Sequence, residues 1–231
     1  MVGSENPESA VWDRQFGSMT DLGGERSRIT LSDEAVVLRP WISSDAAFIF
    51  EASSDPAIER YNGLSPASPA DAVAVIEHIQ ESWRAFDVEG DPTGTAFAIV
   101  DAASGEPIGM CGVDDWSDTD VAQFGYWLAA GARGRGFATR AVELMTGWLF
   151  GLGAARVFLT IESGNAASVA VARRARFHEH VHSPVDGDLQ RWRIRRRTSD
   201  RRPAPQQRAF THVHVASFAD RNISASNVNT C

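Results

Sequence analysis

The chain has 231 residues and a net charge of −8, with 43% hydrophobic and 23% charged residues. This composition is ordinary for a globular protein with a sizeable core, and the acidic balance argues against non-specific nucleic-acid binding. No apolar run of about 18 residues occurs, so no membrane span is expected, and the polar N-terminus lacks the apolar segment of a signal peptide. We therefore expect a cytoplasmic protein without nucleic-acid or membrane partners, and its acidity is compatible with a cationic substrate such as an amine.

The first elements are short. Residues 1–32 are rich in Gly, Ser and charge and lack periodicity, which is typical of a flexible leader. The apolar run 35–39 is closed by a proline and predicts a first strand. Apolar positions 47–49 follow a possible serine cap and indicate a helix, and the Asp-Pro and Asn-Gly pairs within 55–63 indicate a loop.

A longer helix is predicted to begin at Ser68-Pro69, because proline is favoured at the first helical position. Its apolar face consists of Val73, Ile76, Ile79, Trp83 and Phe86. Strands are predicted over 95–100, 108–116 and 121–129, with short turns between them, which indicates an antiparallel meander.

The pattern changes after the meander. A helix is predicted over 137–152, a strand over 156–161 and a helix over 165–175. Because helices separate these strands, they require a parallel crossover. The expected fold class is α+β with a mixed sheet, in a domain covering residues 33–190.

The loop between the strand 121–129 and the helix 137–152 has the features of an anion site. A helix leaves its first backbone N–H groups unpaired, and its dipole places partial positive charge there. Glycines let a ligand approach the backbone closely, and Arg133 and Arg135 can bond phosphate oxygens. The pattern therefore predicts a phosphate or pyrophosphate site, although a glycine-rich turn that binds nothing has the same local sequence.

Three segments carry a family resemblance. Arg133-Gly134-Arg135-Gly136-Phe137-Ala138 resembles the Arg/Gln-x-x-Gly-x-Gly/Ala pyrophosphate loop of the GNAT acetyltransferases. The preceding Phe124-Gly125-Tyr126-Trp127-Leu128 is similar to their fourth strand, and Asn165-Ala-Ala-Ser168 is similar to the Asn-x-x-Ser helix of their RimJ/RimL branch. The likeness covers roughly residues 35–190 and is sharp over 123–177. It implies a GNAT fold, with a mostly antiparallel sheet whose fourth and fifth strands splay apart.

The resemblance implies an acyl-CoA-dependent N-acetyltransferase that uses acetyl-CoA as cosubstrate. A free amine attacks the thioester directly, with the pyrophosphate over the amides of 134–139 and the pantetheine along the splayed strand edge. The implied cofactor-binding residues are Leu128, Ala129, Arg133, Gly134, Arg135, Gly136, Phe137, Ala138, Thr139 and Asn165. Asn165 is also a good helix N-cap, and both roles are compatible.

The resemblance also implies catalytic candidates. Ser168 matches the hydroxyl that protonates the CoA sulfur, although a cap role is open, and Tyr126 is a candidate phenol that is more often a packed strand aromatic. Many relatives carry a glutamate base where this chain has Gln123, which cannot accept a proton. Glu162 is the expected replacement. Asp114 and Asp115, in the predicted strand 108–116, are alternatives. Each of these three carboxylates could equally be a solvated group.

The expected partner is an amine-bearing acceptor, such as a protein or peptide N-terminus. A small-molecule amine (antibiotic, polyamine or amino acid) and a catalytically impaired acyl-CoA-binding module remain alternatives. The second alternative rests on Gln123 and on the unusual C-terminus.

The C-terminal part departs from the family pattern. Arg176 stands where relatives have a glycine that ends the helix, so strain or an altered helix end is expected. Residues 191–202 are rich in arginine, which argues against a buried strand and predicts an atypical tail over 191–231. The exposed sheet edge would then favour a homodimer sharing strand Thr211–Phe218, or leave a disordered tail beside an open acceptor groove.

Alternating histidines occur in the same region. His178, His180 and His182 form one set, and His212 and His214 form another. Neither set has acidic or cysteine partners at standard metal-ligand spacing, so no metal site is expected.

Overall fold

A computed structural model describes residues 29–62, 66–118, 121–162, 164–180 and 189–195. In chain order its elements are β1 Leu31–Ser32, β2 Val36–Pro40, α1 Ala46–Ala52, α2 Pro56–Asn62, α3 Pro69–Glu89, β3 Ala96–Asp101, β4 Pro107–Asp118, β5 Val121–Leu128, α4 Phe137–Leu152, β6 Arg156–Glu162, α5 Ala166–Arg174, β7 His178–Glu179 and β8 Leu189–Arg195. Short 3-10 turns precede α1 and follow β5. The fold is α+β, as the sequence predicted.

The strands form one mixed sheet in the order β1-β2-β3-β4-β5-β6-β8-β7. All neighbours are antiparallel except β5 and β6, which α4 connects as a parallel crossover. This arrangement confirms the predicted GNAT fold. Among the described residues, no helix combines the length and the apolar character needed to cross a bilayer.

Local sequence signals account for the long helices. Ser68 caps α3 by accepting a hydrogen bond from the Asp71 N–H at 3.2 Å, and Gly90 ends the helix in the left-handed conformation. The buried face of α3 consists of Ala72, Ile76, Ile79, Trp83 and Phe86, nearly as the periodicity predicted. The predicted bounds of α4 are confirmed, and its C-cap is Gly153.

An aromatic cluster joins α3 and α4 to the sheet. The Trp83 ring lies 4.8 Å from Phe97 and 5.9 Å from Trp148, and its Nε1 donates to the Ala96 carbonyl. Phe97 also meets Trp148 at 5.1 Å. These contacts bury large apolar areas and fix α4 against the face of β3 on which Phe97 lies.

Three sequence predictions need correction. Residues 56–62 form α2 rather than a loop, because Pro56 begins a helix after Asp55, whose carboxylate accepts from the Ala57 N–H. Leu31 and Ser32 belong to the sheet rather than to the leader, since they pair with β2. Asp45, rather than a serine, is at the N-cap position of α1; its side chain makes no cap bond to the helix and instead accepts from the Ile42 N–H. Residues 1–28 lie outside the described part of the chain.

The arginine-rich segment contains a strand, contrary to expectation. β8 pairs with all seven residues of β6, from Arg156↔Arg195 to Glu162↔Leu189. Alternation resolves the apparent conflict, because Trp192 points into the core and is 3% exposed while arginines occupy the intervening positions. The edge of β6 is therefore covered, and the expected open edge does not exist. Residues 196–231, including Thr211–Phe218, lie outside the described chain.

The sheet opens between β5 and β6. Their ladder covers only Val121↔Arg156, Ala122↔Val157 and Gln123↔Phe158, after which neither strand pairs with the other. The remaining residues of β5, from Phe124 to Leu128, stay paired with β4. This leaves a wedge-shaped opening, bordered by the second half of each strand, next to the N-terminus of α4.

Candidate active site

The loop before α4 presents unpaired backbone N–H groups. Gly134 and Gly136 have φ of 75° and 86°, a left-handed conformation that favours glycine, and nothing lies within 4 Å of a Cβ atom built on either. The first internal hydrogen bond of α4 runs from Arg140 N to Gly136 O. Within the described residues, the N–H groups of 134–139 have no acceptor, so the sequence prediction of an anion-binding loop has the geometry it requires.

The two arginines of this loop are paired within the chain. Arg133 donates from Nη2 to Asp55 Oδ2 at 2.7 Å and from Nε to the Leu128 carbonyl at 3.0 Å. Arg135 lies 3.5 Å from Asp101 Oδ2 and stacks over the Phe137 ring. Both guanidinium groups therefore stabilise the loop, a role that the sequence did not predict for these arginines.

The backbone of β5 faces the opening at alternate residues. The Ala129 N–H donates to Ile108 O at 2.9 Å, and the Ala129 carbonyl accepts from Ala132. Since neighbouring residues of an antiparallel strand point their backbone groups to opposite sides, those of Tyr126 and Leu128 point away from β4 and into the opening. Among the described residues, the Leu128 N–H has no acceptor and can therefore bond a ligand in the opening, whereas the backbone groups of Ala129 are already used.

Tyr126 and Ser168 meet on one side of the opening. Paired residues share a sheet face, and the register Phe97↔Cys111↔Tyr126 puts Tyr126 on the face covered by α4. Its hydroxyl is buried without a hydrogen bond of standard geometry. Burial raises the pKa of Tyr126, and the Ser168 hydroxyl partly offsets this. A buried hydroxyl without a well-formed hydrogen bond, beside a second hydroxyl, fits a site that a ligand completes.

Asn165 caps the helix that carries Ser168. Its Oδ1 accepts from the Ser168 N–H at 3.0 Å, so the predicted N-cap role is present. The cap holds Ser168 in the first turn of α5 and turns its side chain toward Tyr126. The Nδ2 group of Asn165 takes no part in the cap bond.

The other side of the opening is covered by α1 and α2. Trp127, one residue beyond Tyr126, points to this opposite face, where its ring stacks on Phe48 of α1 at 6.0 Å. Glu162, at the end of β6, pairs with Arg60 of α2 at 3.2 Å. The predicted catalytic carboxylate thus pairs with a cation 102 positions earlier in the chain. No local pattern in the sequence predicts this pair.

Gln123 marks the point where β5 and β6 separate. Its Oε1 accepts from Thr160 Oγ1 at 3.2 Å and from Arg191 Nη2 at 3.4 Å. These side chains lie on the same face as Glu162, since strand positions 160 and 162 point the same way. Asp114 of β4 also lies on this face, against Gly125. The structure thus gathers polar groups from β4, β5, β6 and β8 on the face that α1 and α2 cover.

A cavity of about 300 Å³ lies between α1 and the end of β5. It is lined by Phe48, Glu51, Ala52, Asp55 and residues 129–131. Two of these seven residues are carboxylates, although Asp55 is held by Arg133. In the described part of the chain, no three histidine, cysteine or acidic residues are arranged to hold a metal ion.

Comparison with known proteins gives matches over most of the described chain. A family model described as an acetyltransferase (GNAT) domain matches residues 35–178. A Bacillus licheniformis protein named uncharacterized N-acetyltransferase p20 is 27% identical over 155 residues, covering 65% of this chain and 83% of that protein.

Solved structures share the fold. An acetyltransferase from Agrobacterium tumefaciens str. C58 superposes with a TM-score of 0.59 at 24% identity, covering 78% of this chain and 100% of that one. A proposed ribosomal-protein-serine acetyltransferase from Vibrio cholerae superposes with a TM-score of 0.62 at 14% identity, covering 74% of this chain and 99% of that one.

Proposed function

Because the chain belongs to the GNAT acetyltransferase family, whose domain model matches residues 35–178, we propose that it transfers the acetyl group of acetyl-CoA to a primary amine of a protein or peptide. Acetyl-CoA is the acetyl donor of this family, and N-acetyl transfer is its activity. The single observation that carries the proposal is the opening between β5 and β6. It has unpaired loop amides at one end and titratable groups on both faces.

Donor binding depends mainly on the backbone. The N–H groups of residues 134–139 are suited to the pyrophosphate, with the partial positive charge of α4 behind them. The Leu128 N–H and the Nδ2 group of Asn165 are suited to the amides and carbonyls of the pantetheine. Arg133 and Arg135 hold the loop in shape through Asp55 and Asp101, and add positive charge near the phosphates.

Ser168 and Tyr126 are the candidate acids for the leaving thiolate. Both are on the α4 side of the opening. Among the described residues, the buried Tyr126 hydroxyl has no hydrogen bond of standard geometry, and the Ser168 hydroxyl lies beside it. The two hydroxyls would supply a proton to sulfur as the carbon–sulfur bond breaks. A direct attack by the amine needs no covalent enzyme intermediate.

A macromolecular acceptor is favoured by one comparison. The Vibrio cholerae neighbour is described as acting on a ribosomal-protein serine, as expected for the RimJ/RimL branch. The acidic side chains around the α1–β5 cavity suit a cationic N-terminus. Small amines such as an aminoglycoside or a polyamine would use the same charge complementarity and belong in the same assay.

The test is binding followed by turnover. Titration calorimetry with acetyl-CoA should give a dissociation constant on the order of micromolar. Release of the CoA thiol should then be measured with a peptide carrying an N-terminal serine, with kanamycin and with spermidine. We expect the peptide to be the fastest acceptor. Binding without turnover on any of the three would contradict the proposed enzyme activity and favour an acyl-CoA-binding module.

A loop variant locates the donor site. Gly136→Asp introduces a negative charge where the pyrophosphate is expected and should weaken acetyl-CoA binding at least about tenfold, or about 1.4 kcal/mol. Gly90→Asp is the matched control, since Gly90 has a similar φ of 79° at the far end of α3. Equal weakening by both variants would mean that backbone strain, rather than the loop, affects binding.

A further inference from the structure

Asp114 lies where the pairing of β4 with β5 is interrupted. The ladder pairs Val113 with Phe124 and Asp115 with Gln123, which leaves Asp114 as the extra residue of a β-bulge. Its Oδ2 and Oδ1 atoms are 3.2 Å and 3.7 Å from the position that a Cβ atom would take at Gly125. The bulge therefore aims a carboxylate across β5, into space that only a glycine leaves open.

This carboxylate lies on the face opposite the two hydroxyls. The Cβ direction at Gly125 is opposite to that at Tyr126, because side chains alternate along a strand. Tyr126 and Ser168 lie on the α4 side, and Asp114 lies on the side of α1 and α2. A thioester held in the opening at this level has an acid on one face and a carboxylate on the other.

The surroundings of Asp114 keep its proton affinity high. Burial, and then the charge of Asp115, raise the pKa of Asp114 to about 7, and no hydrogen bond or cation among the described residues lowers it. β5 carries no charged side chain, and the only charged side chain of β3, Asp101, pairs with Arg135. A carboxylate that titrates near neutral pH is suited to accept and release a proton during turnover.

Two cations on this face are engaged with groups other than Asp114. Arg60 of α2 pairs with Glu162, and Arg191 of β8 donates to Gln123. Glu51 of α1 lines the cavity beside the end of β5 rather than the bulge. Glu162, the base expected from the sequence, is thus held by a cation, whereas no described residue pairs in this way with the carboxylate of Asp114.

We propose that Asp114 is the general base, and that its carboxylate takes a proton from the acceptor ammonium, directly or through one water. This rests on the proposed acetyltransferase function. The amine nitrogen then forms a bond to the acetyl carbonyl carbon, and the carbon–sulfur bond breaks with its electron pair going to sulfur. The sulfur takes the second nitrogen proton, by way of the hydroxyls of Ser168 and Tyr126, and Asp114 releases its proton to solvent.

The experiment is the pH profile of kcat/KM for acetyl transfer, measured with whichever of the three acceptors the wild-type protein acetylates fastest. Wild type should lose activity below about pH 7. Asp114→Asn should lower kcat/KM about 100-fold or more and abolish that acid limb, while acetyl-CoA binding stays within twofold. Glu143→Gln is the control, because Glu143 is also a carboxyl with a raised pKa but lies on the outer side of α4.

A second variant gives a result that a structural role would not produce. Asp115→Asn removes the neighbouring negative charge, so the acid limb should move to lower pH while activity persists. The assignment is overturned if Asp114→Asn retains the acid limb. It is also overturned if Asp115→Asn or Glu162→Gln, rather than Asp114→Asn, loses the acid limb. A wild-type protein that acetylates none of the three acceptors contradicts the proposed function itself, which is a different result.

If Asp114→Asn does not fold, an NMR titration of the wild-type protein still tests whether Asp114 ionises near neutral pH. Carboxyl resonances of protein labelled with ¹³C-aspartate should include one that titrates near pH 7 and moves to lower pH in Asp115→Asn. The absence of any aspartate titrating above pH 6 overturns the proposal without requiring turnover.

Discussion

At the scale of single residues, the opening between β5 and β6 separates two kinds of proton chemistry. Tyr126 and Ser168 provide hydroxyls on the α4 side, and their proximity agrees with the roles that the family resemblance implies. Glu162 is tied to Arg60 on the other side. The bulge at Asp114 supplies a carboxylate nearby, so the loss of the family glutamate at Gln123 does not leave the site without a base.

The raised pKa of Asp114 predicts a pH-dependent stability. The unfolded carboxyl ionises near the ordinary value of 3.8, whereas the folded one keeps its proton until about pH 7. Between these values the folded state binds more protons, so raising the pH destabilises it. Asp114→Asn should therefore raise the free energy of unfolding above pH 7 by on the order of 2–4 kcal/mol, and the gain should disappear near pH 4.

Urea unfolding at pH 4 and pH 8 measures this difference. Glu106→Gln, in the exposed turn between β3 and β4, is the control and should show no such gain. A gain for Asp114→Asn that is equal at both pH values would mean that the charge of Asp114 is not what destabilises the folded state.

At the scale of elements, the end of α5 carries a strained residue. Arg176 has φ of 64°, and it is the only residue other than glycine with positive φ among those described. It occupies the position after the C-cap in a Schellman motif, since Phe177 N donates to Ala172 O and Arg176 N donates to Arg173 O. The strain expected from the missing glycine is confirmed.

Arg176→Gly should therefore stabilise the protein by roughly 0.5–1 kcal/mol, because the left-handed conformation costs an L-residue about 1–2 kcal/mol and glycine loses some of this gain to chain entropy. Thermal unfolding measures the change. Arg174→Gly, within the last turn of α5, is the matched control and should destabilise by a similar amount. Destabilisation by Arg176→Gly would show that the Arg176 side chain contributes more than its backbone strain costs.

At the scale of the whole molecule, β8 closes the sheet beside the opening. Trp192 pairs with Leu159 of β6 and Glu179 of β7, and the guanidinium of Arg173 in α5 lies 5.5 Å from its ring. The backbone of Trp192 thus joins β6 to β7, and its side chain contacts α5. Because β8 covers the edge of β6, the predicted homodimer no longer follows from an open edge at that strand.

Trp192→Ala should destabilise the protein by about 3–5 kcal/mol, because it removes a large buried side chain from the junction of these elements. Chemical denaturation measures the loss. Arg195→Ala is the control: it lies on the same strand but is exposed, and should change stability by less than about 0.5 kcal/mol. A small effect for Trp192→Ala would mean that β8 is not part of the cooperative fold.

Local patterns in the sequence were sufficient for most of the fold and for the conformation of the loop before α4. The periodicity of α3, the bounds of α4 and the glycines before it depend on residues close in the chain, where spacing alone sets helix faces, caps and unpaired amides. Helix α2 begins at a local signal, Asp55 followed by proline at the first helical position, which also suits a loop. In β8 the signal of the arginines was outweighed by pairing with the distant strand β6.

The tertiary structure decided which functional groups meet. Arg60 and Glu162 are 102 positions apart, Arg133 finds Asp55 over 78 positions, and Asp114 reaches Gly125 only because one residue is added to the β4 ladder. Strand register and bulges set such meetings, and a shift of one residue moves a side chain to the opposite face. The residue types needed for acetyl transfer are visible in the sequence. The sheet face on which each one lies depends on the pairing of strands that are distant in the chain.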